Sequence, residues 1–371
     1  KEVIYDYGNS DKQRPTLYDF LAHRAIDYFM STEPDISKPA YTFTLDNPLF
    51  FGTASEFSKL DIASKDSMST KFYATKIFQD VTAFHIDDAS PEAIIDLELK
   101  RLNFVKSYYN GDGGDSLYYE ALKKLYEKYK THESVTEVMY AMANWHSTQA
   151  AKYVATDSNP LNTKYKDEYN VALKLCEEAM TKFPNSFGSI QCKSLKTSIN
   201  TKSAYITTEQ IAVPDKASQF LISTRNLKKL HMRIVKLDWD FERKDDRDQE
   251  ELLKKLIAMT PYKTWVQDLQ DDGDHHNHQL EIDLPALPLG YYVVLASDDE
   301  KFSLKNNAIA YGNVGVSNLS YTYRRNGDET YEVQVFHREN GEPQANVKAQ
   351  IYFREYNYTL RKYQIKNGES Y

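Results

Sequence analysis

From Thr16 to Asn200 the apolar positions recur at helical spacing, and from about residue 203 they alternate or run together as strand residues do. Leu17, Phe20, Leu21, Arg24, Ala25 and Tyr28 fall on one face of a helix that begins just after Pro15. Pro91-Glu92 opens another, with Ser90 as its N-cap and Ile94, Leu97, Leu99, Leu102 and Val105 as its inward side. Gly111-Asp-Gly-Gly-Asp115 interrupts the period, and Ser116 to Tyr129 resumes it. Further helices are predicted at about 134–153, 165–183 and 187–199, joined by short polar turns and the longer Thr156–Thr163 loop.

One stretch of this half carries a repeat-like signature. Ala172, Cys176, Ala179 and Pro184 are spaced by 4, 3 and 5 residues. Small residues let the second helix of a hairpin sit close to its neighbour, and the proline ends it. The spacing resembles the second half of a tetratricopeptide motif, with Tyr140, Ala141, Ala143 and Trp145 on the preceding helix. The linking turn is longer than that motif allows, so the prediction is an all-α, tetratricopeptide-like stack of helical hairpins over residues 1–202.

The second half reads as strands at Tyr205–Thr208, Gln219–Thr224 and Leu230–Leu237, then one inserted helix, Asp245–Ile257, with Leu252, Leu253, Leu256 and Ile257 inward. Strands return at Gln279–Leu284, Tyr291–Ser297, Ala308–Tyr311, Leu319–Arg324, Tyr331–Arg338, Val347–Arg354 and Thr359–Ile365. Short strands separated by Gly, Pro and Asn turns predict antiparallel β-sandwiches, a first over 203–312 and a second, truncated, over 313–371. The expected fold class is therefore α + β and multidomain, helices first.

Composition sets limits on partners. A chain of 371 residues is long for one domain, and its 27% charged residues exclude low-complexity disorder. The net charge of −8 argues against a nucleic-acid partner, which usually demands a basic footprint. The longest clean apolar run, Tyr291–Ala296, is far shorter than the roughly 18–20 residues of a membrane span. Twenty-nine tyrosines against 17 phenylalanines and 3 tryptophans suit layers of helices and strands that meet at half-buried faces. Cys176 and Cys192 offer no disulfide framework and read as small buried hydrophobes, with a single bridge between them left open by spacing. The start at Lys1 and the Asn367-Gly368 pair after the last strand, read as a turn with no returning strand, suggest a piece of a longer chain.

Two phrases in the β half carry a family likeness. Leu284-Pro-Ala-Leu-Pro-Leu-Gly-Tyr-Tyr-Val-Val-Leu295 is similar to the "Leu-Pro-x-Leu-x-x-Gly-x-Tyr-x-Val" turn into a late strand of the macroglobulin-like sandwich, through Gly290 and Tyr292 among others. Val335 to Ile351 looks like the hairpin "Val-x-Asp-Arg-x-Thr-Gly-x-Pro" of the next such domain, through Arg338, Gly341 and Pro343. In that hairpin Asn340-Gly341 makes the turn, Pro343 stiffens the exit, and Val347, Ala349 and Ile351 alternate inward. His337, Asn340 and Gln344 depart from the pattern's Asp, Thr and Leu. With Thr224-Arg-Asn226, Leu17–Ala25 and Asp96–Leu102, these phrases resemble the N-terminal region of bacterial α2-macroglobulin-family proteins of the Bacteroides type. The resemblance implies a non-catalytic scaffold within a protease-trapping protein of the cell envelope, lipid-anchored outside this chain and facing the periplasm. Its partners would be the rest of the parent chain and the proteases it encloses. Neither Cys176-Glu-Glu-Ala179 nor Cys192-Lys-Ser-Leu195 has the glutamine of the family's Cys-x-x-Gln thioester.

Candidate chemistry is sparse. Asp271-Asp-Gly-Asp-His-His-Asn-His278 gathers three imidazoles, His275, His276 and His278, beside three carboxylates, a donor mixture that suits zinc, copper or nickel. Its spacing is that of a solvated loop with weak metal affinity, and no helical pair of histidines preorganises ligands. Gly111–Asp115 lacks both the lysine of a phosphate loop and the ligand ladder of a calcium loop, and Glu242–Glu251 reads as a solvated helix face. His23, His85, His132, His146, His231 and His337 have no evident nucleophile nearby, so neither enzyme activity nor a cofactor is expected. The alternative function is a helical-repeat interaction module or a surface glycan-binding module, using a protein or sugar partner on the tyrosines at 108, 109, 118, 119 and 126.

Overall fold

Thr16 and Asp19 cap each other's backbone N–H and start the first long helix, as a capping box does. In the computed structural model, residues 10–31, 40–154, 160–238, 249–270, 272–327, 330–359 and 361–370 are described. The chain divides into two units, Lys1–Asn200 and Thr201–Tyr371. It is an α + β protein, helical first and then built of antiparallel and mixed sheets.

The helical unit contains α1 (Ser10–Gln13), α2 (Leu17–Met30), a 3₁₀ turn (Pro48–Phe51), α3 (Ala54–Phe57), α4 (Thr70–His85), α5 (Glu92–Tyr108), α6 (Gly114–Tyr129), α7 (Val135–Ala150), α8 (Pro160–Thr163), α9 (Glu168–Lys182) and α10 (Phe187–Asn200). Helix α2 packs on α4, α4 on α5, α5 on α6 and α6 on α7, while α7, α9 and α10 pack on one another. Phe57, Phe78, Phe104, Leu97, Leu122, Val138 and Met139 form the buried spine. Gly188 lies where α10 meets the start of α7, and a Cβ there would stand 2.2 Å from the Thr136 carbonyl carbon. Gly113 enters α6 with φ 71°, a conformation that favours glycine at this break.

Helix α2 corrects its expected face. Leu17, Leu21 and Tyr28 are 68%, 57% and 67% exposed, whereas Asp19, Ala22, His23 and Ile26 are buried. The inward face holds two polar residues with partners, so apolar periodicity pointed outward. Helix α4 went unmarked for the same reason: its buried side includes Thr75, Gln79, Thr82 and His85. At α5, Pro91 rather than Ser90 occupies the N-cap, and the Ser90 hydroxyl bonds the Glu92 carboxylate instead.

In the β unit, β1 (Ser203–Thr208), β3 (Ser218–Arg225) and β6 (His278–Leu284) form a three-stranded antiparallel sheet. A five-stranded sheet runs β2-β8-β7-β4-β5, from β2 (Ile211–Ala212), β4 (Lys229–Leu237), β5 (Lys263–Asp268), β7 (Gly290–Ser297) and β8 (Ile309–Val316). Only the short β2–β8 pairing among these is parallel. Ile206, Phe220, Ile222 and Ile282 of the first sheet share a core with Leu230, Met232, Ile234, Tyr292, Val294 and Ala296 of the second. The opposite face of the larger sheet, Val235, Leu237, Val293 and Leu295, lies under Phe302 and Leu256 of α11 (Gln249–Ala258). Burial on both faces explains why Tyr291–Ala296 is an unbroken apolar run, while β3 alternates. Residues 245–248 of the expected inserted helix lie outside the described residues.

Strand β8 runs through the expected border at 312/313, with Gly312 opposite Val294 and Asn313 opposite Val293. Beyond it, β9 (Leu319–Arg325) pairs with β10 (Tyr331–His337), and β11 (Gln350–Asn357) with β12 (Lys362–Ser370), each as a two-stranded sheet. The turn at Asn340-Gly341 forms, with Gly341 at φ 72° and its N–H on the His337 carbonyl at 2.9 Å. The expected inward alternation after it does not: Val347 and Ala349 are half-buried and Ile351 is 51% exposed. Asn367-Gly368 is no turn either, since both lie inside β12 opposite a register shift at Gln350–Tyr352.

Candidate functional site

The His-rich segment connects β5 to β6. His278 opens β6 opposite Thr224 of β3, so its backbone is fixed by a ladder. Gly273 and His275 adopt φ 67° and 61°, which turns the chain tightly just before that strand. Between them Asp274 is 3% exposed. Its Oδ1 accepts the His276 N–H at 3.0 Å and lies 2.8 Å from His278 Nε2. Burial alone would raise the Asp274 pKa, but these hydrogen bonds and the neighbouring imidazoles hold it below the usual carboxylate value. The other oxygen, Oδ2, is buried with no hydrogen-bond partner among the described residues. Asp272, which is exposed, takes a 3.0 Å bond from Gln270 Nε2.

One donor atom from each of Asp272, Asp274 and His278 lies within 4.8 Å of the other two. Of the three imidazoles expected to act together, only His278 belongs to this group. His275 turns to Asn226, with Nδ1 2.8 Å from its Oδ1, and Asn226 in turn donates to the Thr201 carbonyl at 2.9 Å. His276 is buried, and its ring is not among the three gathered donors. Asp271 lies outside the described residues.

The helical unit holds ionisable groups that the sequence left scattered. His85 stands between two carboxylates, with Nε2 2.6 Å from Asp19 Oδ1 and Nδ1 2.6 Å from Asp88 Oδ2. His146 bridges Tyr119 Oη, 2.7 Å from its Nε2, and the Glu168 carboxylate. Burial and then Glu168 raise the Tyr119 pKa, so the phenol stays a protonated donor rather than a nucleophile. Partners 66 and 27 residues away leave no sequence signal. Arg101 and Glu98 form a buried pair in which Arg101 also donates to the carbonyls of Phe50 and Gly52 and covers the Phe57 ring. Glu137, in the wall of a cleft of about 250 Å³ with Lys12, Glu92 and Glu133, is raised to about 7 by burial and then by Asp96. Among the described residues no serine, threonine or cysteine is hydrogen-bonded to the ring nitrogens of His85 or His146.

Ala172, Cys176 and Ala179 are fully buried where α9 packs against α7 and α10, and Pro184 follows the end of α9 on the surface. Cys176 and Cys192 are free, buried thiols. Tyr292 is buried and its hydroxyl donates to the Pro288 carbonyl at 2.9 Å, closing the turn whose exit is Gly290. Arg338 donates its N–H to the Asn318 carbonyl at 2.6 Å, and Pro343 bridges Phe336 beside the Gly341 turn. Of the tyrosines named for the alternative partner surface, Tyr118 is buried and Tyr108, Tyr109, Tyr119 and Tyr126 are half-buried against the helical core. Tyr118 is buried on Asn103, Tyr119 stacks on Trp145 at 4.3 Å, and Tyr109 meets Phe51 edge-on.

No family model and no curated protein sequence matches this chain. Among solved structures it is similar to the crystal structure of the CARDB domain of a Pyrococcus furiosus protein in complex with di-metal ions. That likeness has 16% identity and a TM-score of 0.20, and covers 31% of this chain and 92% of that one. A solution structure of the same domain has 15% identity and a TM-score of 0.18, covering 31% and 93%.

Proposed function

We propose that this chain is a non-catalytic scaffold of a bacterial macroglobulin-family protein that traps endopeptidases in the cell envelope. On this reading the helical unit is a tetratricopeptide-like extension, the two facing sheets are a first macroglobulin-like sandwich, and the hairpins β9–β10 and β11–β12 begin a second. The observation that carries it is the packing of the phrase 284–295. Leu284, Leu287, Tyr292 and Val294, its recurring apolar positions, all enter one core, and the Tyr292 hydroxyl ties the turn. The two hairpins add support. Each is a two-stranded sheet with large apolar residues exposed, Tyr321, Tyr323 and Val333 on one and Phe353 and Tyr363 on the other. Such ribbons are marginal alone and suit a layer that other strands complete.

The test uses the intact protein with a panel of broad-specificity endopeptidases. A trap gives one limited cut, a change in hydrodynamic size, and a protease that co-migrates while losing activity only towards large substrates. Progressive degradation, or indifference with no protease retained, would sink the proposal.

A further inference from the structure

We propose that the β5–β6 loop binds one divalent cation of the zinc class, held by Asp272, Asp274 and His278. Three observations converge on it. The donor atoms of these residues are already gathered within 4.8 Å. Zinc–nitrogen and zinc–oxygen bonds of about 2.0–2.2 Å set tetrahedral donors roughly 3.4 Å apart, so the widest gap closes with a shift of about 1.4 Å. Asp272 is exposed and supplies that freedom, whereas Asp274 and His278 are held by the strand and the turn.

The second observation is the orphaned oxygen. Asp274 is 3% exposed, its Oδ1 is engaged by His276 N–H and His278, and among the described residues its Oδ2 has no partner. A buried carboxylate oxygen left without a donor is costly, and a cation at this point satisfies it. The third is the donor chemistry. Two carboxylates match a double positive charge, and the imidazole selects against calcium and magnesium, which want oxygen ligands, about six to eight of them for calcium. His275 lies outside the gathered donors, with its Nδ1 turned to Asn226. With three protein donors, water completes the cation's shell. The bound ion would fasten the loop to the start of β6, in the same loop as His275, which reaches Asn226.

The test is calorimetric titration of the untagged, chelator-treated full chain with zinc chloride, with circular dichroism on each variant to verify the fold. One equivalent binds. Asp272→Asn, on an exposed side chain, and His278→Gln each lower the affinity by at least about tenfold, the scale on which even outer-sphere changes act at metal sites. His275→Ala keeps it within about threefold. The assignment is overturned if no zinc binds, if Asp272→Asn and Asp274→Asn bind as the unaltered chain does, if His275→Ala loses zinc as strongly as His278→Gln, or if calcium binds more tightly than zinc. The outcome is independent of whether the parent protein retains proteases.

Discussion

The two units bury different chemistry. Among the described residues, the helical unit buries the carboxylates, imidazoles and guanidinium of Asp19, His23, Asp66, His85, Glu98, Arg101, Glu137 and His146, whereas of these group types the β unit buries only Asp274 and His276. Helices that pack by their sides bring long polar side chains from distant positions into one layer. There a carboxylate meets an imidazole or guanidinium, as Asp19 meets His85 and Glu98 meets Arg101. Strands in a sandwich alternate, and the ladder satisfies their backbone, so an apolar core suffices. The β unit confines its buried charge to one loop. The buried carboxylates of Asp19 and Glu98 are therefore packing devices, while Asp274 beside His278 belongs to the proposed cation site.

The largest effect that would break this contrast is at Arg101. Arg101→Ala leaves Glu98 buried without its partner and orphans the Phe50 and Gly52 carbonyls, with an expected cost of about 3–5 kcal/mol in urea unfolding. Replacing both members, Glu98→Gln with Arg101→Met, costs less than Arg101→Ala alone, because no charge is stranded. A cavity in the β core, Ile222→Ala, costs about 2–5 kcal/mol through lost packing and shows no such rescue. If Arg101→Ala costs under about 1 kcal/mol, the buried charges of the helical unit are not what fastens its helices.

A smaller and sharper effect is the pH profile. Glu137 is raised from 4.5 to about 7 by burial and by Asp96. The folded chain holds that proton where the unfolded chain has lost it, so this group's contribution falls as pH rises from about 4.5 to 7. Glu137→Gln removes the slope and stabilises the protein above pH 7 by up to about 2–3 kcal/mol, with little change near pH 4.5. His23 acts in the opposite sense. Burial, then Arg14 and Lys100, lower it from 6.5 to about 3, so the unfolded chain takes up a proton first and stability falls as pH drops below 6.5. His23→Gln flattens that acid limb by about 2 kcal/mol at pH 5. Urea midpoints at pH 5 and 8 for both variants measure the two slopes, and a profile unchanged by either would show these groups to be solvated.

How much of this was legible follows from the same contrast. Strand β3, with Phe220 and Ile222 inward, and the doubly buried β7 could be read from the chain because apolar residues mark buried positions there. Helix α2 could be located but not oriented, because Asp19 and His23 face inward on bonds to partners far along the chain. The hairpin after Gly341 shows a second limit: alternation in Val347, Ala349 and Ile351 specifies a face, and a face is buried only where another layer covers it. At the candidate metal site the sequence marked the segment and three imidazoles, of which His278 lies with the gathered carboxylates. The backbone turn at Gly273 and His275 decides which of them meets Asp274, and spacing does not encode that turn.

The smallest expected effect bears on the helix that was misoriented. Leu21, 57% exposed, and Ile26, fully buried, sit on different faces of α2. Ile26→Ala should cost about 2–5 kcal/mol, as loss of a core side chain does. Leu21→Ser should fall within about 0.5 kcal/mol, since it touches no packed layer. The pair discriminates between the observed face and the one that periodicity prefers. If Leu21→Ser costs as much as Ile26→Ala, the row of Leu17, Leu21 and Tyr28 is buried in solution, and the apolar pattern was reporting a contact made beyond the helical core. If it costs nothing, that row is surface, and the inward face of α2 is chosen by the His85–Asp19 bond together with Ile26 and Ala22.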